Sequence, residues 1–284
     1  MEVPLQIDTE LLTGPWGCTI EEYHTDRQWL SHSALELFRK SPRLYKMWFD
    51  GEWEREETKE FRIGSALHAM VLEPDSFEER FETIDCTSRN SKMYKGVDFS
   101  THKEVLLRSE FEQVQKMASA IKCHSWIDRA ILVGEKEVSY RFIDPISGIP
   151  CKIRPDAICG GLVRPVLWEL KTTRDPSEAA WVRDAAIFGY HRQAAFYIEG
   201  LKNSGFLFEK FPFFMYAVIG SVEPYDVFVY RLDQEALDLG KHENEQSFRE
   251  LKERRLNNDW RERNHGKIAT VSLPAWYLKK GWEE

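Results

Sequence analysis

The sequence predicts an α/β fold built on a central mixed β-sheet flanked by helices. Three observations point to it. The first part of the chain repeats apolar residues at helical spacing, and the middle switches to short runs rich in β-branched and aromatic residues. The last part then alternates strand-like and helix-like stretches.

Residues 32–49 (HSALELFRKSPRLYKMWF) follow the helical period, with an interruption at Ser41-Pro42 and either Ser31 or Ser33 available as a cap. GSALHAMVLEPD (64–75) predicts a short apolar helix stopped by Pro74. Residues 85–101 are polar and aperiodic and read as a loop, after which 103–122 return to helical periodicity. EVSYRFID (137–144) and GIPCKIRPDAIC (148–159) predict a β-hairpin, joined by the turn Asp144-Pro145-Ile146-Ser147-Gly148. Gly160-Gly161 makes another turn before a third strand, VLWELKTT (166–173). A long helical stretch (177–203), two strands (211–220 and 225–232) and a final helix from Asp233 to about Asn257 complete the order.

Neither a repeat, a low-complexity tract nor a Pro/Gly linker divides the 284 residues, so one domain over 1–284 is expected. Its helical N-terminal part covers about 29–125 and its sheet-bearing core about 130–260. No apolar run approaches the roughly 20 residues that span a bilayer. MEVPLQIDTELLTG lacks the basic and apolar regions of a secretory signal, so a cytoplasmic location is expected and no membrane partner. The five cysteines are widely spaced, with no Cys-x-x-Cys pair, which argues for reduced thiols over a disulfide framework or a zinc site.

The net charge of −8 taken alone argues against a nucleic-acid binder, because phosphate contacts need Lys and Arg. A binding channel is local, however. Acidic excess gathers in DGEWEREETKE (50–60), whereas 89–122 carry Arg89, Lys92, Lys95, Lys103, Arg108, Lys116 and Lys122. Such stretches are equally solvated helix faces, so charge balance does not decide the matter.

Chemistry concentrates in Arg154-Pro155-Asp156 and Glu169-Leu170-Lys171. Side chains alternate across a strand, so Glu169 and Lys171 share a face, and the adjacent strand can bring Asp156 beside them. Buried charges are costly unless paired or bound to a metal. Two carboxylates suit a hard divalent cation, with the Leu170 backbone carbonyl as a further oxygen ligand and Lys171 near an attacking water. On spacing alone the group would also serve as a salt bridge on a strand. His68, on an otherwise apolar helix, reads as a satisfied core histidine or as a metal ligand. Glu137 opens the hairpin strand as an exposed charge or a site acid. Gln193 and Tyr197, four apart, share one helix face.

Read in order, GSALHAMVLEPD, EVSY, RPD, ELKTT and YHRQAAFY resemble the PD-(D/E)xK nuclease superfamily in its RecB-like branch, and more narrowly the exodeoxyribonuclease VIII type. The likeness covers roughly residues 29–280, from LSHSALELFRKSPRLYKMW to SLPAWY. It implies a restriction-endonuclease-like core. Within it, His68 matches the metal-site histidine, Asp156 and Glu169 the metal-binding acids, and Lys171 the catalytic lysine. Gln193 and Tyr197 match the helix motif that supports the site and contacts the DNA backbone. Glu137 matches an upstream acid, and the resemblance leaves open whether it joins a second metal. The implied activity is 5′ to 3′ degradation of linear double-stranded DNA with Mg²⁺, or Mn²⁺ in its place, leaving 3′ single strands for recombination. A ring-shaped homo-oligomer and a single-strand annealing recombinase as partner are implied with it.

Two departures stand out. One related group holds an iron–sulfur cluster on four cysteines, three of them near the C-terminus. Here the last cysteine is Cys159, so no cluster is expected. Close relatives often carry Asp where this chain has Glu169, an exchange that preserves metal binding. Arg154, Arg89 and Lys92 are candidate DNA contacts on charge and position. The alternatives are an endonuclease or a flap or single-strand nuclease of the same superfamily, and a silent DNA-binding scaffold. Retention of both acids and the lysine disfavours the scaffold.

Overall fold

A computed structural model describes residues 13–97, 100, 103–161 and 163–280. Its first half contains β1 (Gly14–Trp16), α1 (Ile20–Thr25), α2 (His32–Lys40), α3 (Pro42–Asp50), α4 (Lys59–Leu72), α5 (Phe77–Arg80), β2 (Phe81–Ile84), α6 (Lys92–Lys95), β3 (Glu104–Leu107), α7 (Arg108–Cys123) and α8 (Ser125–Val133). The second half contains β4 (Glu135–Lys136), β5 (Ser139–Ile143), β6 (Pro150–Ile153), β7 (Ala157–Cys159), β8 (Val166–Thr173), α9 (Glu178–Phe188), α10 (Tyr190–Asn203), β9 (Phe213–Gly220), β10 (Val227–Tyr230), α11 (Gln234–Asn257) and α12 (Ala275–Lys280).

The central sheet has the order β10-β9-β8-β7-β4. Only β8 and β9 pair in parallel, so the sheet is mixed as expected. Apolar side chains alternate between its two faces. Leu167, Phe214, Tyr216 and Val218 join a core with α2, α9, α10 and α11. Trp168, Leu170, Ala217 and Ile219 join a second core with α4, α7 and α8. The period-2 pattern of β8 and β9 is thus read by a helical layer on each side.

The predicted hairpin is present but broken midway. Lys136 faces Ala157 and Tyr140 faces Ile153, so one register runs through both arms and sets Glu137 opposite Asp156. The arms belong to different sheets, because β5 pairs with β1 and β6 in a three-stranded sheet while β4 and β7 continue the central sheet. Two features make the break. Pro155 has no N–H for a ladder, and Glu137 sits at φ 55, a left-handed conformation that costs a non-glycine residue roughly 1–2 kcal/mol. The Glu137 N–H still donates to the Asp156 carbonyl at 3.2 Å.

Several boundaries differ from the sequence reading. The helical stretch 177–203 is two helices, because Gly189 at φ 72 ends α9 and redirects the chain into α10. Residues 104–107 are strand, since the buried run Val105-Leu106-Leu107 pairs with β2 and the amphipathic period starts only at 108. The stretch read as a loop contains the short α6, capped by the Ser91 side chain. The unforeseen α8 turns Trp126, Leu132 and Val133 to solvent, which obscures its apolar period. Ser31, not Ser33, caps α2 by accepting from the Ala34 N–H, and Ser41 starts α3 in the same way.

The N-terminal segment is clamped to β5 and β6 by two cations, the half-buried Arg141 and the buried Lys152. The Arg141 guanidinium lies between the rings of Trp16 and Trp29, 3.5 and 4.6 Å from their centroids, and donates to Asp26. Lys152 is buried and donates to the carbonyls of Tyr23 and Asp26. Burial lowers its pKa to about 8, partly offset by the Asp26 carboxylate.

Candidate active site

The site forms where β8 outruns its neighbour. Pairing with β7 stops at Trp168, so Glu169–Thr173 have an open edge on that side while β9 pairs the other. Side chains take over the polar groups of this edge at Leu170. Its N–H donates to Asp156 Oδ2 at 2.6 Å, and its carbonyl accepts from His68 Nε2 at 3.0 Å. The carbonyl of Leu170 thus faces the cluster because of the strand overhang.

Asp156 reaches this point because the hairpin breaks at Pro155. Its Oδ1 lies 3.5 Å from His68 Nδ1. Glu137, opposite Asp156, brings a third group: ligand atoms of His68, Glu137 and Asp156 all lie within 4.8 Å of one another. Glu169 Oε2 accepts from Lys171 Nζ at 2.8 Å and from Gln193 Nε2 at 2.9 Å. Its Oε1 is buried without a hydrogen-bond partner.

The electrostatics follow from burial among like charges. Burial and the Asp156 carboxylate push Glu169 up to about 7, against the pull of Lys171. Burial and Asp156 do the same to Glu137, which also reaches about 7 although Arg154 opposes the rise. Burial would raise Asp156 too, but His68, Lys171 and the Leu170 N–H hold it below the usual value. Burial depresses His68, and the adjoining Asp156 more than compensates, so its pKa rises to about 9. Lys171 is raised because Glu169 and Asp156 outweigh desolvation.

These residues fit a divalent cation. A buried, unpartnered carboxylate oxygen is costly. Asp156 raises both Glu137 and Glu169, a like-charge crowding that a cation relieves, and carboxylate and carbonyl oxygens with one imidazole are donors such an ion accepts. His68, Glu137 and Asp156, whose ligand atoms lie together, would hold it with the Leu170 carbonyl, and Glu169 would add its unpartnered Oε1 from the same strand.

The structure therefore gathers His68, Glu137, Asp156, Glu169, Leu170, Lys171, Gln193 and Tyr197. Tyr197 is buried, and its hydroxyl pKa is raised by burial, with Glu169 adding to the rise. Arg154 is at the site but is not free to grip DNA. It is buried, donates to Glu137 Oε2 at 2.8 Å and to Ser139 Oγ at 3.0 Å, and so acts on Glu137. Arg89 is held internally by both Glu110 oxygens at 2.7 Å and by the Val105 carbonyl. Lys92 is exposed on α6. No hydrogen bond or ion pair among the described residues links Arg89 or Lys92 to the cluster.

Sequence reasoning passed over Tyr190, whose ring centroid lies 5.5 Å from Lys171 Nζ. The signal was present: Tyr190, Gln193 and Tyr197 follow the i, i+3, i+7 period of one helix face.

A split hairpin delivering an acid beside a Glu-x-Lys strand, with a helix behind it, defines a PD-(D/E)xK-like fold. The chain belongs to the family described as a PDDEXK-like domain of unknown function (DUF3799), which it matches over residues 31–272. Among solved structures it is similar to a protein from Eubacterium rectale described as a candidate exonuclease. That likeness has a TM-score of 0.63 and 16% identity, and covers 94% of this chain and 99% of the other. At that identity it speaks for the fold alone. The structure of SSO0001 covers 80% of this chain and 87% of its own at 16% identity, but its TM-score of 0.28 carries no argument. No curated protein matches the chain. Among the described residues no helix is long and apolar enough to cross a membrane.

Proposed function

We propose that this protein is a metal-dependent deoxyribonuclease that degrades linear double-stranded DNA from its ends, 5′ to 3′, leaving 3′ single strands for recombination. The observation that carries the nuclease reading is the cluster of His68, Glu137 and Asp156 at the Leu170 backbone, with Glu169, one oxygen unpartnered and the other hydrogen-bonded to Lys171, next to Leu170 on the same strand. End-directed action, polarity and the recombination role rest on the sequence resemblance. So do a ring-shaped oligomer and an annealing recombinase as partner.

Mg²⁺, or Mn²⁺ in its place, would polarise a phosphoryl oxygen and screen the charge that develops on it. The chain's own groups supply the rest. Asp156 and Glu169 fix the geometry, because the Leu170 N–H and Gln193 each hold one of their oxygens. Lys171 Nζ, kept charged by the acids around it, is positioned to orient an attacking water and to offset the negative charge that develops as it attacks. Gln193 keeps Oε2 of Glu169 turned toward Lys171, which leaves Oε1 for the cation.

The test is digestion with Mg²⁺ of linear duplexes labelled at either end, beside a covalently closed circle. Loss of the 5′-end label first, with the circle intact, is expected. Cleavage of the circle would replace the exonuclease with an endonuclease, and no cleavage with either metal would refute the nuclease reading.

A further inference from the structure

We infer that Tyr190 is a positioning residue for Lys171, holding the ε-ammonium at Glu169 with the face of its ring. This rests on the nuclease reading for its consequence, though not for its geometry. Two groups fix the end of the Lys171 side chain. Glu169 Oε2 takes a hydrogen bond at 2.8 Å, and the Tyr190 ring lies under the ammonium at 5.5 Å. A long, flexible side chain with a single hydrogen bond still swings about it. A ring face that attracts the cation removes that freedom without adding a hydrogen bond that would compete for its protons.

The ring itself is immobilised more firmly than packing on Lys171 requires. Tyr190 stacks on Trp181 with centroids 4.9 Å apart and planes at 21°. Trp181 stacks in turn on Tyr230 at 5.6 Å and 11°, and Tyr230 on Phe228 at 5.9 Å and 6°. The column is tied at Tyr190 and at Tyr230. Tyr216 donates its hydroxyl to the Tyr190 carbonyl at 2.6 Å, and Tyr230 donates to the Pro176 carbonyl at 2.8 Å. It runs from the half-exposed Phe228 on β10 through α9 to the lysine on β8. The Gly189 turn starts α10 at this point, so Tyr190 and Gln193, one turn apart, address Lys171 and Glu169 together.

The test compares Tyr190→Leu with Tyr190→Phe in the full-length protein with Mg²⁺. Phe keeps the ring and should keep turnover within about twofold. Leu should lower kcat by about 10- to 30-fold, with KM for DNA and calorimetric metal affinity unchanged. An activity-independent readout is reductive methylation of Lys171, followed by mass spectrometry. It should be faster in the Leu variant than in wild type or the Phe variant. Wild-type kcat and labelling in the Leu variant would overturn the proposal. So would failure of Phe to restore kcat, or an equal loss of DNA and metal binding. A wild-type chain that cleaves no DNA refutes the nuclease reading instead, and the labelling rates still decide whether Tyr190 restrains Lys171.

Discussion

Arg192 and Gln193 are neighbours on α10, yet they belong to two differently balanced clusters of charge. Arg192 donates to both oxygens of Glu36 and to Glu243, which also accepts from His191, while Arg39 lies 3.1 Å from Glu36. Burial alone would raise the Glu36 carboxyl, but the nearby His32 imidazole and the hydrogen bonds from Arg192 hold it down at about 2. Glu243 is likewise lowered by Arg192 and His191 against the effect of burial. Gln193 leads instead to Glu169, raised to about 7 and lacking a partner for one oxygen. A network that only braces α2, α10 and α11 matches each carboxylate with cations. In the second cluster each acid also has a cation nearby, but burial beside Asp156 raises Glu137 and Glu169 toward protonation and one Glu169 oxygen has no partner, and a bound cation would relieve both.

The largest effect should come from Lys171→Ala. Turnover of an end-labelled duplex should fall by about 10²–10³-fold, with the circular dichroism spectrum and melting temperature intact. Unchanged activity would sink the assignment. The sharpest contrast is between Glu36→Gln and Glu169→Gln in chelator at pH 8. Glu36→Gln should destabilise the fold by about 1–3 kcal/mol, since it removes charged hydrogen bonds from Arg192. Glu169→Gln should stabilise the metal-free protein and abolish its stabilisation by Mg²⁺. If denaturant titrations gave both the same sign, the two clusters would not differ as described.

The smallest effect is in pH dependence. Glu137 and Glu169 are raised from 4.5 to about 7, so their contribution to metal-free stability is full below 4.5 and lost as pH rises through about 7. His68, raised from 6.5 to about 9, loses its contribution as pH rises through that higher value. Glu36 has the opposite sign, stabilising above 4.5 and failing only as pH falls toward about 2. Mg²⁺ should therefore raise the calorimetric melting temperature more at pH 8 than at pH 6, where the ion competes with protons. An equal rise at both pH values would contradict the raised carboxyls.

The sequence was legible where one period dominates. VLWELKTT is a strand over all eight of its residues, because Leu167 and the pair Trp168 and Leu170 feed opposite cores. The order of the site residues was also readable, since the hairpin, β8 and α10 follow one another in the chain. What local pattern could not show was pairing at a distance. Arg154 and Arg89 looked free as sequence, but Glu137 and Glu110 face them only after folding. The Glu137 conformation and the split of the hairpin between two sheets likewise follow from tertiary packing. Tyr190 was hidden for another reason. Its place on the helix face of Gln193 and Tyr197 was readable, but its partner Lys171 is on another element and no spacing rule pairs a lysine with a ring across elements.

The overhang of β8 also bears on solubility. A strand edge with free N–H and carbonyl groups is a template on which another chain can add. At Leu170 this template is filled by Asp156 and His68, so the side chains proposed to bind the ion also plug the edge. An Asp156→Ala enzyme would lose that plug along with a ligand, and self-association would accompany inactivity from one and the same substitution.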